Sequence, residues 1–280
     1  MDKLFRLSRT EQLLVQFILI AWAFVVLFPI GIAVINSFKP NLGEVYRDPL
    51  ALPSVWAAEN YVEAWVGANF ARYFMNSVII SGATVVIVTF CASTTAFVLV
   101  RMPFKGSAFI FACFLLGVII PIRLALAPLF TTVKFLGLLD TLTGVILVQS
   151  ASMMPVAVFI LTAFLKSVPS ELEDAARMDG ALPFSIYWRV VLPLIRPAIA
   201  TVALLSFVQA WNEYFLPLIF LQSPENYPIT RGIAEFRTQF DVQWHLMFAG
   251  ILIMLVPTIL AFVLASRQFI EGLTQGGIKE

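Results

Sequence analysis

The sequence predicts an all-α integral membrane protein with about six transmembrane helices. Only 12% of its 280 residues are charged, 60% are hydrophobic, and the mean hydropathy is +0.91. A soluble globular protein carries roughly 25% charged residues, so the charged groups of this chain cannot cover a water-facing surface. The net charge of +1 gives no electrostatic argument for nucleic acid. The expected surroundings are membrane lipid, and no nucleic-acid partner is expected.

Six apolar stretches are long enough to be spans, because about 20 apolar residues cross roughly 30 Å of hydrocarbon. They are Leu13–Ile35, Asn76–Val100, Ser107–Phe130, Leu142–Leu165, Ile195–Leu221 and Leu246–Ser266. The first exceeds the apolar core of a signal peptide, about 7–15 residues, so we interpret it as a retained helix. Pro121 and Arg123 interrupt the third. We expect that helix to end near Ile122 and to continue as an irregular or re-entrant segment through Pro128.

The distribution of Lys and Arg predicts the orientation. With the N-terminus in the cytoplasm, 11 of the 18 basic residues fall on the cytoplasmic side and 7 on the outer side. The short loop from Arg101 to Lys105 strengthens this bias. We therefore expect both termini in the cytoplasm and a single transmembrane domain over residues 1–280. The longest cytoplasmic connection then runs from about 167 to 194, between helices 4 and 5.

The first part of this loop predicts a short helix over residues 171–179. Ser170 and Glu173 have the spacing of a capping box, in which each side chain accepts a hydrogen bond from a free backbone amide. Gly180 is the expected left-handed stop at the other end. We also expect a second helix to pack so close to Gly180 that no Cβ would fit there.

The second part of the loop predicts that helix. Pro183 opens it, because proline suits the first turn of a helix. The helix is expected to run from Phe184 to Leu192, where Pro193 closes it.

The loop resembles the EAA loop of ABC-importer permeases. The family pattern is E-A-A, three residues, G, nine residues and I-x-L-P. Here Asp174-Ala175-Ala176 is followed by Gly180 and, after nine residues, by Val190-Val191-Leu192-Pro193. Asp replaces Glu and Val replaces Ile, but the spacing is intact.

Other segments are similar to the carbohydrate-uptake (maltose-type) branch of this family, and specifically to the shorter of its two permease subunits. They are Glu171–Ala181, Asn36–Pro40, Asn76-Ser77, Trp211-Asn212-Glu213 and the tail Phe269–Lys279. The resemblance therefore covers most of the chain.

The resemblance implies a permease subunit for a sugar or sugar-like solute in the bacterial cytoplasmic (inner) membrane. The implied partners are a second permease subunit, two ATP-binding subunits that use ATP-Mg, and an extracytoplasmic solute-binding protein. The short helix would be the coupling helix that receives the ATPase stroke. The residues implied in coupling are Glu173, Asp174, Ala175, Ala176, Asp179, Gly180, Leu192 and Pro193. The tail from Glu271 to Glu280 would reach toward the ATPase pair.

Polar residues inside the fifth span suggest a solute path, because polar groups in a bilayer are costly without a role. Gln209, Asn212 and Glu213 lie at i, i+3 and i+4 and would share one face of a helix. Gln149 in the fourth span could supply the opposing wall. The alternative is that these groups bond to neighbouring helices and hold the bundle together.

The sequence lacks the motifs that several classes of enzyme require. The sequence contains no G-x-x-x-x-G-K-[ST], no H-E-x-x-H and no G-x-S-x-G motif. We expect no catalytic residue, no metal site and no cofactor bound by this chain. Two other classes stay open from the residues alone. An intramembrane enzyme would need paired catalytic groups, and an ion-coupled secondary transporter usually shows internal repeats and intramembrane charges.

Overall fold

A computed structural model describes residues 8–67, 69–236 and 242–277, with side chains up to residue 266. The regular elements in these ranges are all helices. In chain order they are α1 Arg9–Ser37, α2 Leu42–Arg47, α3 Glu59–Gly67, α4 Phe70–Arg101, α5 Ser107–Ile119, α6 Leu126–Phe135, α7 Leu142–Ser167, α8 Glu171–Met178, α9 Pro183–Ile186, α10 Leu192–Leu194, α11 Arg196–Trp211, α12 Phe215–Phe220, α13 Ile229–Gly232 and α14 Trp244–Gly277. Residues 278–280 and the side chains beyond 266, which include the tail from Glu271, lie outside the described part.

Four helices are long and apolar enough to cross a bilayer by themselves. They are α1, α4, α7 and the segment Trp244–Ser266 of α14. Each contains or closely matches one of the expected spans. Two further candidates pass only as bent pairs of helices, so the described part of the chain has four to six candidate spans.

The third span is broken, as its proline predicts. Helix α5 ends at Ile119, and the following segment Ile122–Phe135 is bent away from it by 95°. Ile120 has φ −83° and ψ 115°, because a residue that precedes proline is pushed out of the helical region. The break thus comes slightly before Ile122, and the second piece extends past Phe130.

The prediction of one continuous fifth span, Ile195–Leu221, is wrong. Helix α11 ends at Trp211, and α12 begins only at Phe215. The Glu213 carboxylate accepts hydrogen bonds from the amides of Phe215 and Leu216, at 2.7 and 3.1 Å. A side chain that satisfies backbone amides in this way competes with helix continuation.

The chain divides into two compact units. The first comprises Met1–Phe70 and Ile233–Ile253. A polar cluster fixes the segment that follows α1. The Asn60 amide donates to the carbonyls of Ser37 and Lys39 at 2.8 and 2.9 Å, and the buried Lys39 ammonium donates to the Asp48 carbonyl at 2.6 Å. In contrast, the side chains of α1 are exposed from Arg9 to Gly31, so this apolar helix is available to lipid or to another subunit.

The second unit comprises Ala71–Gly232 and Met254–Glu280. Its apolar core joins α4, α7 and α11 through fully buried residues such as Val88, Leu161 and Val202. The loop after α7 belongs to the same core, because Tyr187 and Val191 are buried in it. This core positions the loop that resembles the EAA motif.

Asp140 fixes the segment after α12 to the start of α7. Its carboxylate accepts from the amides of Gln222 and Ser223 at 2.8 and 3.0 Å, and the Asn226 side chain donates to its carbonyl at 2.7 Å. Burial alone would raise the pKa of Asp140, but the hydrogen bonds from Ser223, Gln222 and Asn226 outweigh it and lower the pKa from 3.8 to about 2. The carboxylate is therefore ionised at any physiological pH.

Candidate coupling and solute-path site

Helix α8 is closed at its C-terminal end by its own backbone. The Ala181 amide donates to the Ala176 carbonyl and the Gly180 amide to the Arg177 carbonyl, both at 3.0 Å. This pair of bonds is a Schellman motif. Gly180 has φ +80°, the left-handed conformation that the motif requires. The predicted helix and its glycine stop are confirmed.

The predicted capping box at the start of α8 is wrong. Ser170 has φ −80° and ψ −12°, whereas a side chain that caps a helix needs an extended backbone at that residue. Its hydroxyl makes no capping bond. Glu173 instead points into the chain, where it is 1% exposed and its Oε1 lies 2.7 Å from Nε of Arg101 in an ion pair.

The reason expected for glycine at position 180 is also wrong. A Cβ built on Gly180 would meet no atom within 4 Å. Space therefore does not select glycine there, but the positive φ does, because an L side chain in that conformation is strained.

The second helix does not close at Pro193. It starts at Pro183 as predicted, widens into a π turn over Tyr187–Val191, and continues through Pro193 to Leu194. The Leu192 amide donates to the Tyr187 carbonyl, five residues back. Pro193 has no amide hydrogen and cannot donate a helical hydrogen bond. The π turn before it shifts the register of the backbone hydrogen bonds, and the helix continues through the proline. The bend of 77° follows Leu194.

The residues expected to couple divide between two faces of α8. Glu173 and Ala176 lie on the inner face of α8. Glu173 is buried, and Ala176 packs against the apolar core. Asp174, Ala175 and Asp179 are exposed. On the second helix, Leu192 packs against the core, and Pro193 is exposed.

Large apolar side chains are also exposed around this helix. Met178 is 88% exposed and Phe184 is 75% exposed, with Leu172 and Leu182 exposed beside them in the sequence. Several large apolar residues exposed on one short loop are typical of an interaction surface.

The solute-path residues do not share a helical face. Gln209 lies on α11, but Asn212 caps the end of that helix, and Glu213 lies in the break. The side-chain amide of Asn212 donates to the Val208 carbonyl at 2.8 Å, so it holds the helix terminus. The break itself contacts the break of the third span, because the Arg123 guanidinium lies 5.0 Å from the centre of the Phe215 ring.

Gln149 lies on a different helix, α7. It is 1% exposed on α7, and neither its Nε2 nor its Oε1 has a hydrogen-bond partner among the described residues. A buried amide without partners carries a desolvation cost of roughly 1–3 kcal/mol. Gln149 is thus a polar group that the packing of this chain alone does not satisfy.

Comparison with known proteins shows the family. Residues 89–268, more than half of the chain, match the model of the binding-protein-dependent transport system inner membrane component. The chain belongs to this family. The matched range includes the whole loop from 167 to 194 and both broken spans.

The curated proteins most relevant to this chain are also permeases. The diacetylchitobiose uptake system permease protein of Streptomyces coelicolor is 34% identical over 92% of this chain and 86% of its own length. The arabinooligosaccharides transport system permease protein of Halalkalibacterium halodurans is 33% identical over 92% of each chain.

A chain of a solved ABC transporter shares the fold. A crystal structure of a bacterial ABC transporter involved in the import of the acidic polysaccharide alginate matches 94% of this chain and 99% of the solved chain. The TM-score is 0.82 and the sequence identity is 21%. This permease chain is thus an inner-membrane component of a transport system, and such subunits are not enzymes. In the described part of the chain no group of three or more His, Cys, Asp or Glu residues could hold a metal ion.

Sequence reasoning missed Arg101 as the partner of Glu173 in the candidate site. It lies 72 positions before Glu173, and no helical or strand spacing connects residues so far apart. The available signals were a carboxylate in the first turn of the predicted helix and a basic residue at the end of a span. Neither identifies the other as its partner.

Proposed function

We propose that this permease is one of the two membrane-spanning subunits of an ATP-driven importer of a sugar or oligosaccharide. Residues 1–280 form one transmembrane permease domain, with both termini in the cytoplasm. Helix α8 is the coupling helix, which rests on an ATP-binding subunit and receives its stroke. The ATP-binding subunits bind and hydrolyse ATP-Mg, and this chain binds no cofactor.

The observation that carries the coupling role is the exposed apolar surface on a helix that closes itself. The Schellman motif keeps α8 intact without a partner, so the helix can move as a unit. Glu171, Asp174 and Asp179 accompany the exposed Met178 and Phe184. The cytoplasmic leaflet is negatively charged and repels such a surface. A protein partner is therefore a better fit than lipid.

The two broken spans favour a solute path at their junction. Helix α5 has 13 residues and α11 has 16, so at 1.5 Å per residue they rise only about 20 and 24 Å. Both stop short of a hydrocarbon layer roughly 30 Å thick. Irregular backbone at that depth is tolerated where protein or water covers it. We propose that Gln209, Asn212 and Glu213 border this water-filled path and that Gln149 reaches it when the helices move.

The remaining partners follow from the family. A second permease subunit supplies the other half of the path, and an extracytoplasmic binding protein delivers the solute. One structural neighbour is an alginate ABC transporter in complex with a periplasmic protein that carries an alginate pentasaccharide. The curated relatives, which take up diacetylchitobiose and arabinooligosaccharides, support a saccharide as the solute class.

The experiment combines purification with transport. The tagged chain should co-purify with a second permease and two ATP-binding subunits. In proteoliposomes with the binding protein outside, diacetylchitobiose and arabinooligosaccharides are the first probes, with proline as a non-sugar control. We expect uptake of a saccharide that requires ATP inside and persists when the proton gradient is dissipated. Uptake that stops with the gradient while ATP is held constant would favour an ion-coupled transporter.

A further inference from the structure

The guanidinium of Arg101 connects three elements of the second unit. Arg101 is the last residue of α4. Its Nη2 donates to the carbonyls of Leu165 and Val168, at 3.1 and 2.6 Å, at the end of α7. Its Nε lies 2.7 Å from Glu173 on α8. One planar group therefore holds the ends of two long helices and the coupling helix together.

This ion pair is shielded from water. The Arg101 and Glu173 side chains are 11% and 1% exposed, so the two charged groups depend on protein partners rather than on water. The Leu165 and Val168 carbonyls are at a helix C-terminus, where the helix dipole favours a cation. Arg177 lies farther from Glu173, at 3.7 Å, and is directed to the exposed Asp174 at 2.5 Å. Arg101 is therefore the principal partner of Glu173.

We infer that the ion pair of Arg101 and Glu173 is the link through which movement of α8 reaches α4 and α7. This inference rests on the proposed coupling role of α8. Both residues are positioning residues, since neither needs to touch the solute or ATP. A buried ion pair is by itself weak evidence for a contribution to stability. Its contacts with three separate helices favour a role in transmission.

The test follows a movement far from the pair, in the assembled complex and without any sugar. Cys91 and Cys113, the free cysteines, are replaced by alanine, and Asn212→Cys is introduced at the break of the fifth span. A membrane-impermeant thiol reagent is added from outside, without nucleotide and after trapping with ATP and vanadate. The readout is the ratio of the two modification rates, normalised to the trapped nucleotide. Leu182→Cys, in a parallel sample, reports docking by its cross-link to the ATP-binding subunit.

Glu173→Gln and Arg101→Lys should reduce the nucleotide-dependent change at residue 212 by about 2- to 30-fold, the range measured for residues that carry coupling between sites. The cross-link should persist. Arg101→Lys keeps the positive charge but loses the fork that reaches both helices, so it provides a second variant if Glu173→Gln assembles poorly. Lys105→Gln removes an exposed charge four residues after Arg101, outside α8, and should behave like the parent protein.

The possible failures are distinguishable. An unchanged ratio in both variants, with the cross-link intact, would overturn the inference and leave the proposed function standing. Loss of the cross-link in Glu173→Gln alone would also overturn it, because Glu173 would then act in docking. Absence of the cross-link in the parent protein would contradict the proposed function itself.

Discussion

Substitution of Gly180 tests whether a closed end of α8 is needed for coupling. Gly180 has φ +80° and no atom within 4 Å of its Cβ position, so the cost of a side chain comes from the backbone alone. A left-handed conformation costs an L residue about 1–2 kcal/mol. That cost lowers the population of the closed turn about 5- to 30-fold at 25 °C. Asparagine tolerates this region better than alanine, and β-branched valine tolerates it least.

The assay is the ratio of solute transported to ATP hydrolysed in proteoliposomes. We expect the ratio to fall in the order Gly, Asn, Ala, Val at position 180, while the amount of assembled complex changes little. Gly137 is a matched control, because it also has a positive φ, +69°, and open space around its Cβ position. Gly137→Val carries the same local strain outside the coupling loop and should keep the parent ratio.

An equal loss of coupling in Gly137→Val and Gly180→Val would refute this reasoning, since general strain would then explain both. Full coupling in Gly180→Val would refute it as well, because the closed turn would then be dispensable.

Three further predictions concern single polar groups. Glu213→Ala should destabilise the start of α12 by about 0.5–2 kcal/mol, as loss of a capping acceptor does, and should lower the yield of complex; an unchanged yield would show that the start of α12 does not need this acceptor. Gln149→Met should stabilise the complex by about 1–3 kcal/mol in thermal unfolding if the amide stays unpartnered, whereas a lower unfolding temperature would show that the assembly supplies a partner. The pKa of Asp140 is lowered from 3.8 to about 2, so its contribution to stability is complete above pH 3.8 and is lost as the pH falls toward 2. The protection of the segment after α12 against hydrogen exchange, corrected for the intrinsic exchange rate at each pH, should therefore fall only in that window, and Asp140→Asn should remove this fall.

The long apolar runs predicted the straight spans because hydrophobicity over 20 residues overrides local preferences. Pro121 located the break in the third span, since proline restricts the residue before it whatever the tertiary context. The break at Asn212 and Glu213 was not predictable in the same way. It depends on a carboxylate that captures two amides, and the sequence would equally allow that side chain to point away from an unbroken helix.

The candidate site shows the same division. Gly180 was predictable as a helix stop because its signal is local. The role of Glu173 was not, because its spacing from Ser170 suits a capping box and its actual partner, Arg101, comes from another helix. Tertiary ion pairs of this kind leave no periodic trace in one sequence. The apolar residues exposed on the loop likewise became informative only when the fold left them uncovered.

The most direct test of the central claim is a cross-link from Met178, which is 88% exposed on α8. Met178→Cys, in a chain without Cys91 and Cys113, is coupled to a photoreactive probe in the purified complex. The account predicts a cross-link to an ATP-binding subunit that changes with ATP, and protection from an impermeant thiol reagent added outside intact cells. Reaction with that reagent, or cross-links to lipid alone, would contradict it.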